Sequence, residues 1–151
     1  MTSTIQDIVM AADHGGFALK NSLKEWLSAK GYRVHDVGAH DDARSDYPDF
    51  AQTACRLILD GQAQMGILIC GSGIGMDIAA NRFQGIRAAR VGDVTSARLA
   101  RAHNDANMLA LGARLTGELV MKECIDAFLT TAFEGGRYQE RNSKLEQGCG
   151  A

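Results

Sequence analysis

The sequence predicts an α/β fold, a single doubly wound, Rossmann-like domain whose five-stranded parallel sheet carries helices on both faces. Short apolar runs alternate with amphipathic stretches along the chain, which is the pattern of successive β-α units. The 151 residues fit one domain with a sizeable core and leave no room for a second. Because no linker, repeat or low-complexity tract interrupts the alternation, we expect residues 1–151 to form one domain.

Short apolar runs are the predicted strands. They cover residues 8–12, 32–37, 66–70, 86–91 and 108–111. The first run is continuously apolar, as expected for a strand that is buried on both faces of a parallel sheet.

The predicted helices are recognised by apolar side chains that recur with helical spacing. In the first helix, which ends at Gly31, they are Leu19, Leu23, Trp26 and Leu27. In the second, which begins near Pro48, they are Ala51, Ala54, Leu57 and Ile58. In the last, they are Met121, Cys124, Ile125, Phe128 and Leu129. Asp93 is the predicted N-cap of a helix through Ala102, and Thr116 is the predicted cap of the last helix.

Composition and charge argue against several classes of function. A formal net charge of −2 provides no field that would recruit nucleic acid or an anionic membrane. No window approaches the roughly 18 uninterrupted apolar residues of a membrane span, and residues 1–9 do not resemble a signal peptide, so we expect a cytoplasmic protein. The four cysteines show no paired spacing, which argues against a disulfide framework or a zinc site, and Cys55 and Cys124 are expected in the core.

The stretch around Cys70 carries the strongest functional signal. An apolar strand delivers this thiol into a glycine-rich turn, residues 71–75, which opens a helix. Such a turn lets successive N–H groups converge on an anion, and the helix start adds the positive end of its dipole. A thiol beside it is a candidate base or nucleophile. The same pattern also fits a buried strand end followed by a tight turn that has no chemical role.

Two further polar turns are expected beside this one. Residues 13–16 follow the first strand and residues 112–114 follow the fifth, and both turns contain glycine. Ligands of parallel α/β sheets bind outside the carboxyl ends of the strands, where all of these turns should meet. We therefore predict the functional site at this edge of the sheet.

Polar residues elsewhere are ambiguous from the sequence alone. His103 lies past a helical segment and could contact a ligand, interact with the helix dipole or simply face solvent. Arg137 and Arg141 have a spacing that on a helix would let both guanidinium groups bind one phosphate. A solvated, charged tail explains the same two residues equally well.

Several short motifs stand in order along nearly the whole chain. They are residues 13–16 (DHGG), 44–48 (RSDYP), 69–75 (ICGSGIG), 79–81 (AAN), 85–88 (GIRA), 103–107 (HNDAN) and 134–137 (EGGR). Together they resemble the signature of ribose-5-phosphate isomerase B and the related galactose-6-phosphate isomerase subunits. Their joint occurrence at compatible spacing identifies the chain as a member of this family.

The resemblance implies an aldose–ketose isomerase that interconverts D-ribose 5-phosphate and D-ribulose 5-phosphate through a cis-enediolate. By the resemblance, Cys70 is the base that moves a proton between carbon 1 and carbon 2, and Ser72 lies beside the developing oxyanion. The N–H groups that would hold this charge belong to Gly71, Gly73, Ile74 and Gly75. His103, with Asp13 as its partner, would open the sugar ring. The route requires no metal and no cofactor.

The resemblance also assigns substrate contacts and partners. The side chains that would bind the substrate phosphate are His14, Arg114, Arg137 and Arg141. Tyr47 and Asn104 would contact the sugar. Members of the family form homodimers whose active sites are shared between chains, and some assemble further into tetramers, so we expect residues 137–151 to contact a partner subunit. His103 and Asn104 then need not meet Cys70 within one chain.

A few positions depart from the family pattern. Met76 stands where some relatives carry a glutamate base, which leaves Cys70 as the evident base of the loop. Ser72 replaces a frequent threonine and retains the hydroxyl group. Thr95 replaces an aromatic residue of several relatives, which allows a pocket wall of different shape.

Substrate and activity therefore have alternatives. Subfamily members act on tetrose 4-phosphates and on galactose or allose 6-phosphate, and the sequence does not choose among these sugars. A non-catalytic nucleotide- or cofactor-binding module could use the same strand, glycine turn and helix, although Met76 leaves the GxGxxG motif incomplete. An isomerase of an unphosphorylated or uronic sugar would leave Arg114, Arg137 and Arg141 without a phosphate to bind.

Overall fold

The computed structural model describes residues 4–148, so Cys149 and the last residues of the tail lie outside it. The strands are β1 (Asp7–Ala12), β2 (Arg33–Asp36), β3 (Met65–Cys70), β4 (Ala88–Arg90) and β5 (Met108–Gly112). The helices are α1 (Phe17–Ala29), α2 (Tyr47–Leu59), α3 (Ile74–Ala80), α4 (Val94–Asn104), α5 (Glu118–Thr130) and α6 (Arg137–Glu146). All strands pair in parallel in the order β2-β1-β3-β5-β4, which confirms the predicted sheet.

The hydrophobic core lies on both faces of this sheet because successive strand residues point to opposite sides. Ile67 of β3 belongs to the apolar layer that includes Phe128 of α5. The next residue, Leu68, belongs to the opposite layer, which includes Met76 of α3. The doubly wound arrangement is therefore confirmed. Among residues 4–148, none of the helices has the length and apolarity needed to cross a lipid bilayer.

Two predicted helix ends are confirmed. Gly31 follows α1 with a φ of +97°, a conformation that glycine adopts without strain. Asp93 caps α4, since its carboxylate accepts the N–H of Ser96 over 2.8 Å. Helix ends of this kind depend on a few neighbouring residues and can therefore be predicted from the sequence.

The predicted cap at Thr116 is wrong. Helix α5 begins at Glu118, and no side chain caps its N-terminus. The Thr116 N–H instead donates to the Gly112 carbonyl (3.1 Å), so this residue belongs to the turn that leaves β5. The structure also shortens the fourth strand to Ala88–Arg90 and forms α6 within the polar tail.

The topology places the two ends of α4 at opposite edges of the sheet. This helix starts shortly after β4 ends and runs back beside the strands. Its 11 residues span about 16 Å, and they end at Asn104, just before β5 begins at Met108. Side chains at the end of α4 therefore lie at the edge opposite to Cys70, which closes β3.

Candidate active site

The polar turns meet at the carboxyl edge of the sheet, as predicted. The Asp13 N–H donates to the Ile69 carbonyl (3.3 Å), which ties the turn after β1 to the end of β3. The Arg114 N–H donates to the Gly71 carbonyl (3.0 Å), which ties the turn after β5 to the glycine turn. Cys70 therefore lies between two other polar turns.

The glycine turn presents an N–H group to the thiol. The Gly73 N–H donates to Cys70 Sγ over 3.1 Å, and the cysteine is only 5% exposed. Gly73 has a φ of +78°, and a Cβ at this position would lie 2.8 Å from the carbonyl carbon of Leu111. Glycine is therefore required to aim this N–H at the sulfur. A donor at this distance stabilises negative charge on sulfur, which is what a thiolate base needs.

The core cysteines have a different environment. Cys55 and Cys124 are fully buried, as predicted. They lie on opposite faces of the sheet. Burial raises the pKa of the Cys55 thiol to about 11, and burial, with smaller effects from Asp93 and Glu123, raises the pKa of Cys124. Within residues 4–148, only Cys70 receives a backbone N–H at its sulfur.

The other N–H groups of the turn are arranged less simply than predicted. The Ile74 N–H donates to the Ser72 hydroxyl (3.2 Å), and the Gly73 N–H is directed at the thiol, so two of the predicted oxyanion donors bond within the loop. Gly75 lies under the ring of Tyr47, since a Cβ at Gly75 would be 2.6 Å from Tyr47 Cζ. Tyr47 therefore covers the glycine turn, and the oxyanion role of Gly75 stays a prediction.

His14 is locked to a residue that the sequence analysis missed. Its Nδ1 accepts the Ser45 N–H (3.2 Å), and its own backbone N–H donates to Ser45 Oγ (3.1 Å). Because Nδ1 is an acceptor here, the proton of the neutral ring is on Nε2, which can donate to an anion. Ser45 lies within the RSDYP motif, but nothing in its local pattern pairs it with a residue 31 positions away. Arg114 lies at the same edge, and its Cδ would be 3.7 Å from a Cβ atom if Gly71 carried one.

Two of the remaining predicted residues, His103 and Arg137, contact Tyr138. The His103 ring stacks on Tyr138, with centroids 4.2 Å apart and 9° between the planes. The Arg137 guanidinium lies over the same ring and donates to its hydroxyl (3.0 Å). Glu134 faces His103, with Oε1 3.9 Å from Nε2. Tyr138 and Glu134 were missed because stacking and pairing between α4 and the tail leave no periodic signal; the EGGR motif, which contains Glu134, was the available hint.

Cys70 and His103 lie apart in one chain. His103 is in the last turn of α4 at the edge where strands begin, whereas Cys70 is at the edge where they end. The predicted pairing of Asp13 with His103 does not form within the chain, because Asp13 follows β1 at the same edge as Cys70. Asp13 Oδ1 instead accepts the N–H groups of Gly15 (2.9 Å) and Gly16 (3.3 Å). The predicted site residues therefore fall into two groups on each chain, which we call the first and the second half-site. The first half-site contains Asp13, His14, Tyr47, Cys70, Ser72 and Arg114, and the second contains His103, Asn104, Arg137 and Arg141.

Comparison with known proteins identifies the family of this chain. The sequence model of the Ribose/Galactose Isomerase family matches residues 8–145. Ribose-5-phosphate isomerase B of Escherichia coli is 42% identical over 137 residues, which cover 91% of this chain and 92% of that protein. D-erythrulose-4-phosphate isomerase of Pectobacterium atrosepticum is 45% identical over 139 residues, which cover 91% of each chain.

Solved structures show the same fold. The structure of ribose-5-phosphate isomerase B from Mycoplasma genitalium with bound ribulose-5-phosphate superposes with a TM-score of 0.88 at 40% identity, covering 93% of this chain and 94% of that one. The family match covers most of the chain, and the relatives match along nearly their whole length. The chain therefore belongs to the ribose/galactose isomerase family.

Proposed function

We propose that this chain is an aldose–ketose isomerase that interconverts D-ribose 5-phosphate and D-ribulose 5-phosphate. The observation that carries the proposal is the Cys70 thiol, which receives the Gly73 N–H at the edge of the sheet where ligands of such folds bind. Support comes from the relative named ribose-5-phosphate isomerase B and from the similar structure that holds ribulose-5-phosphate.

Cys70 would act as a thiolate base on the open-chain aldose. It removes the proton from carbon 2, the electron pair forms the double bond between carbon 1 and carbon 2, and the oxygen on carbon 1 takes the negative charge. The hydroxyl proton on carbon 2 then moves to the oxygen on carbon 1, and Cys70 returns its proton to carbon 1. This leaves the carbonyl group on carbon 2 and gives the ketose. Ser72 and the free N–H groups of the turn would stabilise the enediolate, and one well-aimed donor contributes roughly 3 kcal/mol.

The other residues would prepare the sugar for this step. His103, with Asp13, opens the ring by moving a proton between the ring oxygen and the hydroxyl on carbon 1, because imidazole can both accept and donate a proton. His14, Arg114, Arg137 and Arg141 hold the phosphate through N–H donors. Tyr47 and Asn104 contact the sugar. No step requires a metal or a cofactor.

A homodimer would bring the half-sites together. A two-fold axis would place the His103 edge of each chain against the Cys70 edge of its partner. The dimer would then have two equal sites, each made from both chains. The tail from residue 137 would then contact the partner subunit, because Arg137 and Arg141 belong to the second half-site. Further assembly into tetramers is compatible with this scheme, and we propose a cytoplasmic location.

A second substrate is favoured by a specific relative. The relative named D-erythrulose-4-phosphate isomerase is 45% identical to this chain, at least as similar as the relative from Escherichia coli. A shorter sugar would keep the same chemistry at carbon 1 and carbon 2. Galactose or allose 6-phosphate would lengthen the sugar instead.

The test is turnover of aldose phosphates with four, five and six carbons by wild type and Cys70→Ala, with a chelator present. We expect wild type to isomerise ribose 5-phosphate, the chelator to have no effect, and Cys70→Ala to lose on the order of 10³-fold, the range of a general base. Preference for a tetrose or hexose phosphate would keep the chemistry and change the substrate. Failure to turn over any sugar would favour a nucleotide-binding module.

A further inference from the structure

The peptide group between Ser72 and Gly73 is held from both sides. Its N–H donates to Cys70 Sγ over 3.1 Å. Its carbonyl oxygen accepts a hydrogen bond from Arg90 Nε, also over 3.1 Å. Because the C=O and N–H of a trans peptide point in opposite directions within one plane, a single orientation of this plane serves both bonds. Arg90 and Cys70 are therefore coupled through one rigid group.

This peptide also lies close to the end of β5. A Cβ at Gly112 would be 2.6 Å from the Ser72 carbonyl oxygen, and a Cβ at Gly73 would be 2.8 Å from the carbonyl carbon of Leu111. Because even a Cβ atom would not fit between the peptide and β5, the peptide has little room to tilt toward this strand. The remaining freedom is rotation about its own axis, which the bond from Arg90 restrains.

Arg90 ends a strand whose start is bonded to the end of α3. This strand is β4, which lies beyond β5 in the sheet, so the Arg90 side chain crosses β5 to reach the turn after β3. Burial raises the pKa of the Asp77 carboxylate on α3, and the nearby Arg90 opposes this shift through its backbone N–H and its charge. Asn81 accepts the N–H of Ala88 (2.8 Å) and donates to its carbonyl (3.0 Å), which fixes the start of the same strand.

We propose that Arg90 is a positioning residue for the thiolate of Cys70 and that it acts through the Ser72–Gly73 peptide. A cationic donor on the carbonyl polarises the peptide and strengthens donation by its N–H, and it also keeps that N–H aimed at the sulfur. Arg90 does not touch the substrate in this account. The inference rests on the proposed function only in that Cys70 is taken as the base.

The test measures the thiolate directly and without substrate. Full-length wild type and Arg90→Met are treated with iodoacetamide at one neutral pH, and modification of the peptide that contains Cys70 is followed by mass spectrometry, which separates it from Cys149. We expect alkylation of Cys70 to slow about tenfold in Arg90→Met, because a weakened donor to a charged atom costs roughly that factor. Arg56→Met, which changes an exposed arginine on α2, should leave the rate unchanged.

Two further measurements separate positioning from loss of structure. Ultraviolet absorbance of the thiolate, taken as the difference from Cys70→Ser, should fall in Arg90→Met while the melting temperature stays close to that of wild type. For ribose 5-phosphate, kcat should fall by a similar factor while KM changes less than about twofold. An unchanged or faster alkylation rate in a folded Arg90→Met protein would overturn the proposal.

The conservative variant tests the geometry. Lysine keeps the charge but lacks the planar donor at Nε, so Arg90→Lys should recover only part of the alkylation rate. Full recovery would show that charge alone acts and would contradict a role for the peptide orientation. If wild type isomerises no sugar while Arg90→Met still slows alkylation, the proposed function fails and this inference stands.

Discussion

Gly73 and Gly61 both have a positive φ, +78° and +74°, but their surroundings differ. A Cβ at Gly73 would meet the backbone of β5 at 2.8 Å, whereas a Cβ at Gly61 would meet nothing within 4 Å. Gly61 lies after α2 and takes no part in the candidate site. Comparison of these two glycines therefore separates the effect of backbone strain from the effect of the direction of the Gly73 N–H group.

Alanine at both positions makes this a test at the scale of one residue. In both variants, alanine in a left-handed backbone conformation should lower the unfolding free energy by about 1 kcal/mol. The loss should be larger in Gly73→Ala, because its Cβ would also clash with the backbone of β5. Gly73→Ala should lower kcat about 100-fold, since the donor to Cys70 is displaced. Gly61→Ala should leave kcat unchanged. Chemical denaturation and steady-state kinetics measure both effects, and equal losses of kcat would contradict the assigned role of Gly73.

Ser45 gives a second prediction at this scale. Ser45→Ala removes the hydroxyl group that accepts the backbone N–H of His14. The His14 imidazole, which would donate to the phosphate, is then held less firmly. We expect KM for ribose 5-phosphate to rise about tenfold with little change in kcat, the pattern of a lost binding contact. Ser45→Thr keeps the hydroxyl and should restore KM. A Ser45→Ala enzyme with the wild-type KM would show that this contact does not organise the site.

At the scale of elements, a buried charge cluster ties α1 to β2 near the first half-site. Lys20 has no exposed surface, and its Nζ donates to Asp36 Oδ1 over 2.6 Å. The same carboxylate accepts the Gly38 N–H (3.0 Å) and Lys24 Nζ (3.2 Å). Burial acts to raise the pKa of Asp36, but the bonds from Lys20, Gly38 and Lys24 outweigh it and leave the pKa lowered.

Replacement of this carboxylate should be costly. Asp36→Ala leaves Lys20 buried without a counterion, and we expect a loss of about 3 kcal/mol in unfolding free energy at neutral pH. Lys24→Met is the control, because Lys24 is half-exposed and should cost less than about 1 kcal/mol. Chemical denaturation measures both, and equal effects of the two variants would contradict the account.

The pH dependence of the Asp36→Ala effect has a definite sign. A folded-state pKa below the unfolded value means that the ion pair stabilises the fold above the unfolded pKa, which is about 4, and that this contribution fades as pH falls further. The stability gap between wild type and Asp36→Ala should therefore be full at neutral pH and narrow in acid. A gap that is constant from neutral to acid pH would refute this assignment.

The strands and the Asp93 cap could be predicted from the sequence because each depends on a short stretch of chain. Apolar periodicity located the strands, and the Asp93 cap follows from residues three apart. The predicted cap at Thr116 was wrong because its N–H bonds within the turn that leaves β5, before the helix begins. The preference of threonine for cap positions does not reveal that turn. The edge of the sheet where the polar turns meet followed from the topology of parallel strands.

The missed residues share a different cause. Ser45, Tyr138 and Arg90 act through contacts with residues that are distant in sequence: His14, His103 and the Ser72 carbonyl. Such pairs produce no period and no spacing rule within either stretch. Only the assembled fold brings them together, which is why the sequence predicted the place of the site more fully than its supporting contacts.

At the scale of the whole molecule, the proposed function would need a second chain to join the half-sites at opposite edges. A chain with Cys70→Ala would lack the proposed base, and a chain with His103→Ala would lack the proposed ring-opening group, so each variant alone should be inactive. In a dimer that contains one of each, one composite site carries both defects and the other carries neither. Mixed chains should therefore recover activity that neither variant has alone.

This complementation is the most direct test of the account. Equal amounts of Cys70→Ala and His103→Ala chains are unfolded, mixed and refolded, and isomerisation of ribose 5-phosphate is measured. Random pairing puts half of the chains in mixed dimers, so activity should return to about a quarter of wild type. As a control, wild type refolded with the double variant Cys70→Ala/His103→Ala should fall to about a quarter as well, because mixed dimers then have no intact site. No recovery in the first mixture, together with half of the wild-type activity in the control, would contradict a shared site and place catalysis within one chain.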